Sequence, residues 1–314
     1  MQTSGRCLIV DEMHPSIVPL LESIGYKGDY LPDINKEEVL KIIHLYTGLI
    51  VRSKLYINKD ILDHAINLKF IARAGAGLDQ IDIEEINKRN IQIFNAPEGN
   101  RDAVAEHAIG LILCLLNKIH SADKEVRNFL WRRNENRGTE LMRKTVSILG
   151  YGFMGQAFAR RLSSFGCNIL AYDKYKSGFS NTFVKEASME QIFDQTDILS
   201  LHIPLTSETR NFIDLVFLKK FRKPIYLINT ARGEIVSLKS LKEGLKSGLL
   251  LGVGADVLEN EKITPELANQ DENIRYLFGS EKVVFTPHVA GWSQESYKKI
   301  NEVLISKISS AMHM

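Results

Sequence analysis

The sequence predicts an α/β protein of two domains, each built on a parallel sheet. Short β-rich runs alternate with helical patterns along the whole 314-residue chain, the rhythm of strand–helix–strand units on a parallel sheet. That length exceeds what one compact core usually serves and suggests about two domains. The third observation is local: the apolar run Val146-Ser147-Ile148-Leu149 leads into Gly150-Tyr151-Gly152-Phe153-Met154-Gly155 and then a helical pattern from Gln156 to Phe165. Strand, tight turn and helix follow one another there.

Taken in order, the first half reads as strands at Leu8 to Val10, Gly48 to Val51, Phe70 to Ala72 and Ile91 to Phe94, with helices at Ile17 to Ile24, Lys36 to His44 and Asp60 to Ile66 between them. Asn95-Ala96-Pro97-Glu98-Gly99-Asn100 then reads as a turn-rich segment and a domain crossing. Ala103 to Asn117 follows as a helix apolar on most of its surface, through Val104, His107, Ala108, Leu111 and Leu115, so it must be covered. Lys124 to Lys144, with Arg127, Trp131, Arg132, Arg133, Arg137 and Arg143, reads as a solvated or subunit-facing arm rather than a nucleic-acid site. His107 reads as packed in its helix, and His202 as a core or cofactor-side residue without catalytic work.

Beyond the glycine loop, strands are expected at Cys167 to Tyr172, Ile198 to Leu201, Ile225 to Ile228, Leu250 to Ala255 and Val283 to Thr286, which with Val146 to Leu149 makes six for a doubly wound sheet. Leu238 to Lys246 is one of the intervening helices. A second crossing is expected at Pro287, after which the helix Gln294 to Ser309 returns to the N-terminal domain. The expected substrate domain is therefore 1–97 with 288–314, and the inserted nucleotide-binding domain 98–287.

Composition narrows the function classes. Apolar residues at 44% and charged residues at 25% describe an ordinary globular chain. A formal charge of +2 gives no general pull toward nucleic acid or anionic membrane, so neither is expected as a partner. No signal-like leader and no stretch of eighteen uninterrupted apolar residues is seen, and a cytoplasmic location is expected. Cys7, Cys114 and Cys167 are scattered in apolar runs, which favours buried reduced thiols over disulfides or metal ligands, and no metal is expected.

The glycine loop points to a dinucleotide. Gly150 allows the turn, Gly152 lets the backbone approach a pyrophosphate, and Gly155 lets the helix pack on its strand. Backbone N–H groups at the helix start then face the phosphates. Asp173 ends the next β-rich run eighteen residues beyond Gly155, where a carboxylate grips the adenosine ribose and disfavours a 2′-phosphate, so NAD is expected over NADP. Lys174 and Lys176 beside it are expected to soften that preference.

Three segments at later strand ends carry the reactive side chains: Asn229-Thr230-Ala231-Arg232-Gly233, Ala255 to Glu261, and Thr286-Pro287-His288-Val289-Ala290-Gly291. An arginine, carboxylates and a histidine are the parts needed to move a hydride between a nicotinamide and a 2-hydroxy acid.

With these motifs in order, joined by Arg73-Ala74-Gly75-Ala76-Gly77-Leu78-Asp79 and His202-Ile203-Pro204-Leu205-Thr206, the chain resembles the D-isomer-specific 2-hydroxyacid dehydrogenase family over nearly its whole length. Val51-Arg52-Ser53, Asn95-Ala96-Pro97 and Val104-Ala105-Glu106 make it most similar to short D-3-phosphoglycerate dehydrogenases. The resemblance implies a Rossmann domain inserted in a smaller flavodoxin-like domain. It implies that Arg232 binds the substrate carboxylate, His288 exchanges the proton and Glu261 pairs with His288, although Glu259 lies two residues away. It implies that amides of Ala76 and Gly77 hold the substrate carboxylate, that Phe153 and Met154 meet the pyrophosphate, and that Pro204, Thr230 and Asp256 line the NAD site. It also implies a homodimer built on the arm at 100–145.

Two departures stand out. Gly291-Trp292-Ser293 brings an indole where the family often has small residues, and the chain stops shortly after its last helix, so no regulatory C-terminal domain is expected. For the substrate, Arg52 with Lys54 at one strand end and Arg73 at the next are expected to converge on a phosphate, giving D-3-phosphoglycerate oxidation. The competing expectation is that Arg52 and Arg73 pair with Asp79, Glu98 or Asp102, which favours a glyoxylate or hydroxypyruvate reductase. A NAD-sensing, corepressor-like interaction protein is the alternative from another class, disfavoured because no appended recognition segment is seen.

Overall fold

The computed structural model describes residues 5–312. They fall into two compact units, one formed by the chain up to Asn100 together with the chain from Trp292, the other by Arg101–Gly291. Positions 1–4 and 313–314, the extremes of the expected substrate domain, lie outside the described residues.

The first unit holds β1 (Gly5–Ile9), β2 (Tyr26–Tyr30), β3 (Gly48–Val51), β4 (Phe70–Arg73) and β5 (Gln92–Asn95). They form one parallel sheet in the order β2-β1-β3-β4-β5, which is the flavodoxin-like order. Alternation along β1 sends Leu8 to one buried cluster and Cys7 and Ile9 to the other, as a two-residue side-chain period requires. The helix Gln294–Met312 brings Ile300, Leu304, Ile305 and Ile308 into the second of these clusters. At ~1.5–3 kcal/mol for each fully buried aliphatic side chain, those residues are enough to fix the helix on its sheet. Strand β2 was not expected. Tyr-Lys-Gly-Asp-Tyr has little apolar alternation, and it is extended because it pairs with β1 from Gly5↔Tyr26 to Ile9↔Tyr30.

The second unit holds β6 (Thr145–Leu149), β7 (Asn168–Tyr172), β8 (Lys185–Glu186), β9 (Ile198–Leu201), β10 (Ile225–Asn229), β11 (Leu250–Ala255) and β12 (Val283–Phe285). Their order is β12-β11-β10-β9-β6-β7-β8, again all parallel. The chain starts in the middle, runs out to β8, then crosses to β9 and runs out to β12, which is the doubly wound Rossmann pattern with a strand added. Its switch point lies between β6 and β9, each of which is fully buried. The sequence offers six strands here; the seventh, β8, is a two-residue edge strand too short to carry a pattern.

One boundary is corrected. The segment Asn95 to Asn100, read as turn-rich, is mostly the start of the helix Pro97–Leu116. Proline suits a first helical position, where no backbone N–H is needed, and Glu98 meets the positive helix end. Ala105, Ala108, Leu111, Ile112 and Leu115 of this helix are buried with Val146, Ile148 and Phe158.

After it come the helix Ile119–Arg127 and an irregular segment in which Phe129 is 97% and Trp131 79% exposed. Among the described residues no single helix is long and apolar enough to cross a membrane, and the pair Pro97–Leu116 and Ile119–Arg127, apolar enough together, is bent by 60°. All three cysteines are free thiols, with Cys7 fully buried.

Candidate active site

The glycine loop begins at Gly150, just past the last residue of β6. Gly150 has φ +92, and a Cβ there would stand 2.6 Å from the His202 carbonyl oxygen. A Cβ on Gly155 would stand 2.1 Å from the Gly150 carbonyl, so these two glycines are demanded by the fold itself. Gly152 differs. A Cβ there meets nothing within 4 Å, and the helix Phe153–Leu162 starts at it with no side-chain cap. Its first N–H groups, including those of Phe153 and Met154, have no partner within the helix and stand at its positive dipole end, which fits a pyrophosphate.

Asp173, just past β7, is tied to that loop. Its carboxylate accepts from the amides of Tyr151 (2.8 Å), Tyr175 (2.9 Å) and Lys176 (3.1 Å). Beside it lies a cavity of about 440 Å³ lined by Tyr172, Asp173, Glu186, Ala187 and Ser188. The two lysines expected to soften cofactor choice are engaged elsewhere: Lys174 pairs with Glu208, and Lys176 donates to the Tyr151 carbonyl. Pro204 lies just past β9, in the segment that begins with His202. The buried hydroxyl oxygen of Thr230 has no hydrogen-bond partner among the described residues, an orphan that a ligand's polar group would satisfy. These residues fit NAD.

The reactive side chains sit where β10, β11 and β12 end side by side, with Asn229 opposite Ala255 and Ala255 opposite Phe285. His288 Nδ1 meets the Glu261 carboxylate at 3.0 Å, both side chains being about half exposed. A carboxylate only accepts, so Nδ1 carries the hydrogen and Nε2 keeps the lone pair, the arrangement of a ring able to take up a proton there. The rival carboxylate is elsewhere: Glu259 accepts from the Leu238 amide at 3.0 Å, at the start of a helix.

Beneath the histidine lies Asp256, 2% exposed. Its carboxylate accepts from the Thr286 hydroxyl (2.6 Å) and from the amides of Val289 (2.9 Å) and Ala290 (2.8 Å), while its carbonyl takes the His288 amide (2.8 Å). His288 itself has φ +56, a backbone state that costs a non-glycine residue energy unless its surroundings enforce it. Asp256 enforces it.

His107 extends this network, and so it does more than pack in its helix. Its Nε2 lies 2.8 Å from the Thr286 hydroxyl oxygen. The threonine's one proton goes to Asp256, so His107 is the donor. Arg232 is positioned by similar means: Asn229, 4% exposed, accepts from the Ala231 amide (3.0 Å) and donates to the Arg232 carbonyl (2.9 Å), and the guanidinium contacts the Ala231 carbonyl (2.7 Å). Sequence reasoning missed His107 and Asn229 as site residues. The signal was available only as polar residues in otherwise apolar elements.

In the first unit, the loop after β3 is held by Asp11, whose carboxylate accepts from the amides of Arg52 (2.7 Å), Ser53 (3.3 Å) and Lys54 (3.1 Å). The Arg52 guanidinium lies 4.0 Å over the Trp292 ring. Lys54 turns away to donate to the carbonyls of Pro32 and Ile34, so it does not join Arg52 as a second cation. Arg73, at the end of β4, folds over Gly75 and contacts the Ala74 carbonyl (3.4 Å). Ala76 is pinned by Asn95, which donates to its carbonyl (2.8 Å), with Gly77 next in the same loop. Glu98 pairs with Lys307 at 2.8 Å, and Asp102 with Arg161 at 3.0 Å.

Residues 109–290 match the family model described as "D-isomer specific 2-hydroxyacid dehydrogenase, NAD binding domain". The chain is 34% identical to the hydroxypyruvate reductase of Thermotoga maritima over 275 residues, 88% of each chain. It is 30% identical to the D-3-phosphoglycerate dehydrogenase of Archaeoglobus fulgidus over 305 residues, 96% of this chain but only 56% of that relative's length. The solved NAD-dependent formate dehydrogenase of Staphylococcus aureus in complex with NAD matches with a TM-score of 0.80 at 26% identity, covering 98% of this chain and 95% of that one. The chain belongs to the D-isomer-specific 2-hydroxyacid dehydrogenases, a family of oxidoreductases whose cofactor is NAD.

Proposed function

We propose that this dehydrogenase oxidises D-3-phosphoglycerate to 3-phosphohydroxypyruvate, a step of serine biosynthesis, in the cytoplasm. The observation that carries the substrate choice is Arg52. It is half-buried, its nearest carboxylates act on it only at range, and among the described residues none comes within ion-pair distance. A cation so placed is suited to an anion brought by the substrate. The free thiols agree with a reducing compartment.

In this reading Arg232 grips the substrate carboxylate with two N–H groups and polarises the adjoining carbonyl, and the amides of Ala76 and Gly77 are the first unit's donors for a carboxylate. His288 accepts the hydroxyl proton at Nε2 during oxidation and returns it during reduction, and Glu261 keeps the ring turned for that exchange. NAD, when bound, supplies the hydride acceptor. Phe153 and Met154 hold its pyrophosphate by backbone N–H groups and Asp173 its ribose, with Pro204, Thr230 and Asp256 along the rest of it. The functional division is taken after Pro97 and Pro287, and the exposed apolar residues at Phe129 and Trp131 support a homodimer through the arm 100–145.

A second reading, hydroxypyruvate or glyoxylate reductase, is favoured by the Thermotoga maritima relative, which matches over 88% of both chains. A substrate panel followed at 340 nm separates the two. The phosphoglycerate reading expects 3-phosphoglycerate to be used far better than glycerate, and Arg52→Ala to raise its KM about tenfold or more, as loss of a charged contact should. Equal use of glycerate and 3-phosphoglycerate contradicts it and leaves the reductase.

A further inference from the structure

We infer that Trp292 is a specificity-determining residue: its indole backs the Arg52 guanidinium and holds the guanidinium's N–H edge for the phosphate of a phosphorylated acid. This rests on the phosphoglycerate reading above and adds to it the residue that makes Arg52 an effective phosphate contact.

Both partners of the stack are anchored within one unit. Arg52 leaves the end of β3 from a loop whose three consecutive amides are bound by Asp11, itself 7% exposed. Trp292 immediately precedes Ser293 and Ser296, which exchange bonds at the start of the last helix: the Ser293 amide donates to the Ser296 hydroxyl (2.8 Å) and the Ser296 amide to the Ser293 hydroxyl (3.0 Å). That helix is tied to the segment after β1 through Asn301, which donates to the His14 carbonyl (3.0 Å) and the Ser16 hydroxyl (3.1 Å). Tyr297, one turn in, packs edge-on against His14 at 5.6 Å. The indole is thus carried on a fixed helix start, and the arginine on a fixed strand end.

The stacking geometry matters because a guanidinium has two kinds of surface. Its flat face binds an aromatic ring, and its rim carries N–H donors in a fork that matches two oxygens of a phosphate. With the guanidinium carbon 4.0 Å from the centre of the indole ring, a face-on stack would occupy the face and leave the rim. Arginine otherwise pays for every hydrogen bond in lost rotamer freedom, so a side chain already held in one plane binds an anion with less loss. Burial lowers the Arg52 pKa against the opposing pull of Tyr297, Asp11 and Glu12, the mark of a cation short of compensating charge. Asp11 has both oxygens on amides, and Glu12 is exposed. A phosphate at the rim supplies what these groups do not.

The test compares Trp292→Ala, Trp292→Phe and Arg52→Ala with the unaltered protein, on 3-phosphoglycerate and on glycerate. Trp292→Ala is expected to raise KM for 3-phosphoglycerate roughly three- to thirtyfold, the range of a partly desolvated cation–π contact, with kcat changed less, KM for glycerate unmoved and NADH affinity kept. Trp292→Phe should restore most of the loss, since a phenyl face also stacks. A second readout uses emission: Trp131 and Trp292 are the chain's two tryptophans, so in a Trp131→Phe background titration with 3-phosphoglycerate or inorganic phosphate should change the Trp292 signal, and Arg52→Ala should abolish that change. If Arg52→Ala raises KM for 3-phosphoglycerate but Trp292→Ala does not, or if Trp292→Ala impairs glycerate equally, the role of Trp292 is overturned while the phosphate reading stands. If glycerate serves as well as 3-phosphoglycerate and neither variant discriminates between them, the phosphate reading itself falls and the inference with it.

Discussion

Asp11 and Asp256 are the same device used in two sheets. Each lies just past the end of a parallel strand, β1 or β11, is nearly inaccessible, and spends its carboxylate on backbone N–H groups of a loop that follows a neighbouring strand. The loops differ. Asp11 holds Arg52 to Lys54, where no residue has a left-handed backbone and Ser53 and Lys54 are exposed to water. Asp256 holds the loop of His288, whose φ is +56, with the buried Ala290 and a hydroxyl already committed to it. Water can replace Asp11 at most of its bonds but not Asp256, so the Arg52 loop depends less on its aspartate than the His288 loop does.

The largest effect is therefore expected from Asp256→Ala. It strands the Ala290 amide and the Thr286 hydroxyl and releases a strained histidine; at about 1–3 kcal/mol for each buried group left unsatisfied, unfolding should shift by several kcal/mol. Turnover should fall on the order of a hundredfold or more, because the proton-exchange group loses its geometry. Asp11→Ala should cost only about 1–2 kcal/mol, since its amides can find water, and on the proposed phosphoglycerate reading should appear in KM rather than in kcat. Denaturant titration with initial rates checks both. Equal losses from the two variants would break the comparison.

A smaller effect concerns a group held without any charge partner. His202, on the second unit's switch point, meets Ser200 at 2.9 Å and the Phe158 ring at 5.0 Å, and burial pushes its pKa down from 6.5 to about 3. The unfolded chain takes up this proton below about 6.5 and the folded chain holds out until about 3. Stability is thus whole above the upper value and declines as pH falls through that interval, by at most about 1.4 kcal/mol per pH unit. His202→Gln should flatten that part of the slope between pH 7 and 4.5, and an unchanged slope would assign it to other groups.

What the sequence made legible follows from what leaves a local trace. The glycine loop is readable because each glycine answers a steric demand within a few residues: Gly150 against His202, Gly155 against Gly150. Strands β6, β9, β10 and β11 are readable because nearly all of their residues are buried, which writes largely apolar runs. Strand β2 is polar and takes its conformation from pairing, and β8 is too short for any period. The segment Asn95 to Asn100 reads as turn-rich because Asn, Pro and Gly suit a turn, yet proline also suits the first position of the helix that starts there. The His288–Glu261 pairing followed from the resemblance, whereas the bonds from Asp256 and His107 to the histidine loop needed the packed strand ends. The Arg52–Trp292 stack joins the two ends of the chain, and no spacing rule reaches that far.

The central claim is that His288, oriented by Glu261 and held by Asp256, moves the proton in this NAD-dependent dehydrogenase. Steady-state turnover of His288→Ala, measured beside NADH binding by fluorescence, tests it most directly. The account predicts a loss of about 10²–10⁴ in kcat, the usual share of a general acid–base group, with NADH affinity unchanged. A variant turning over at near the unaltered rate would contradict it.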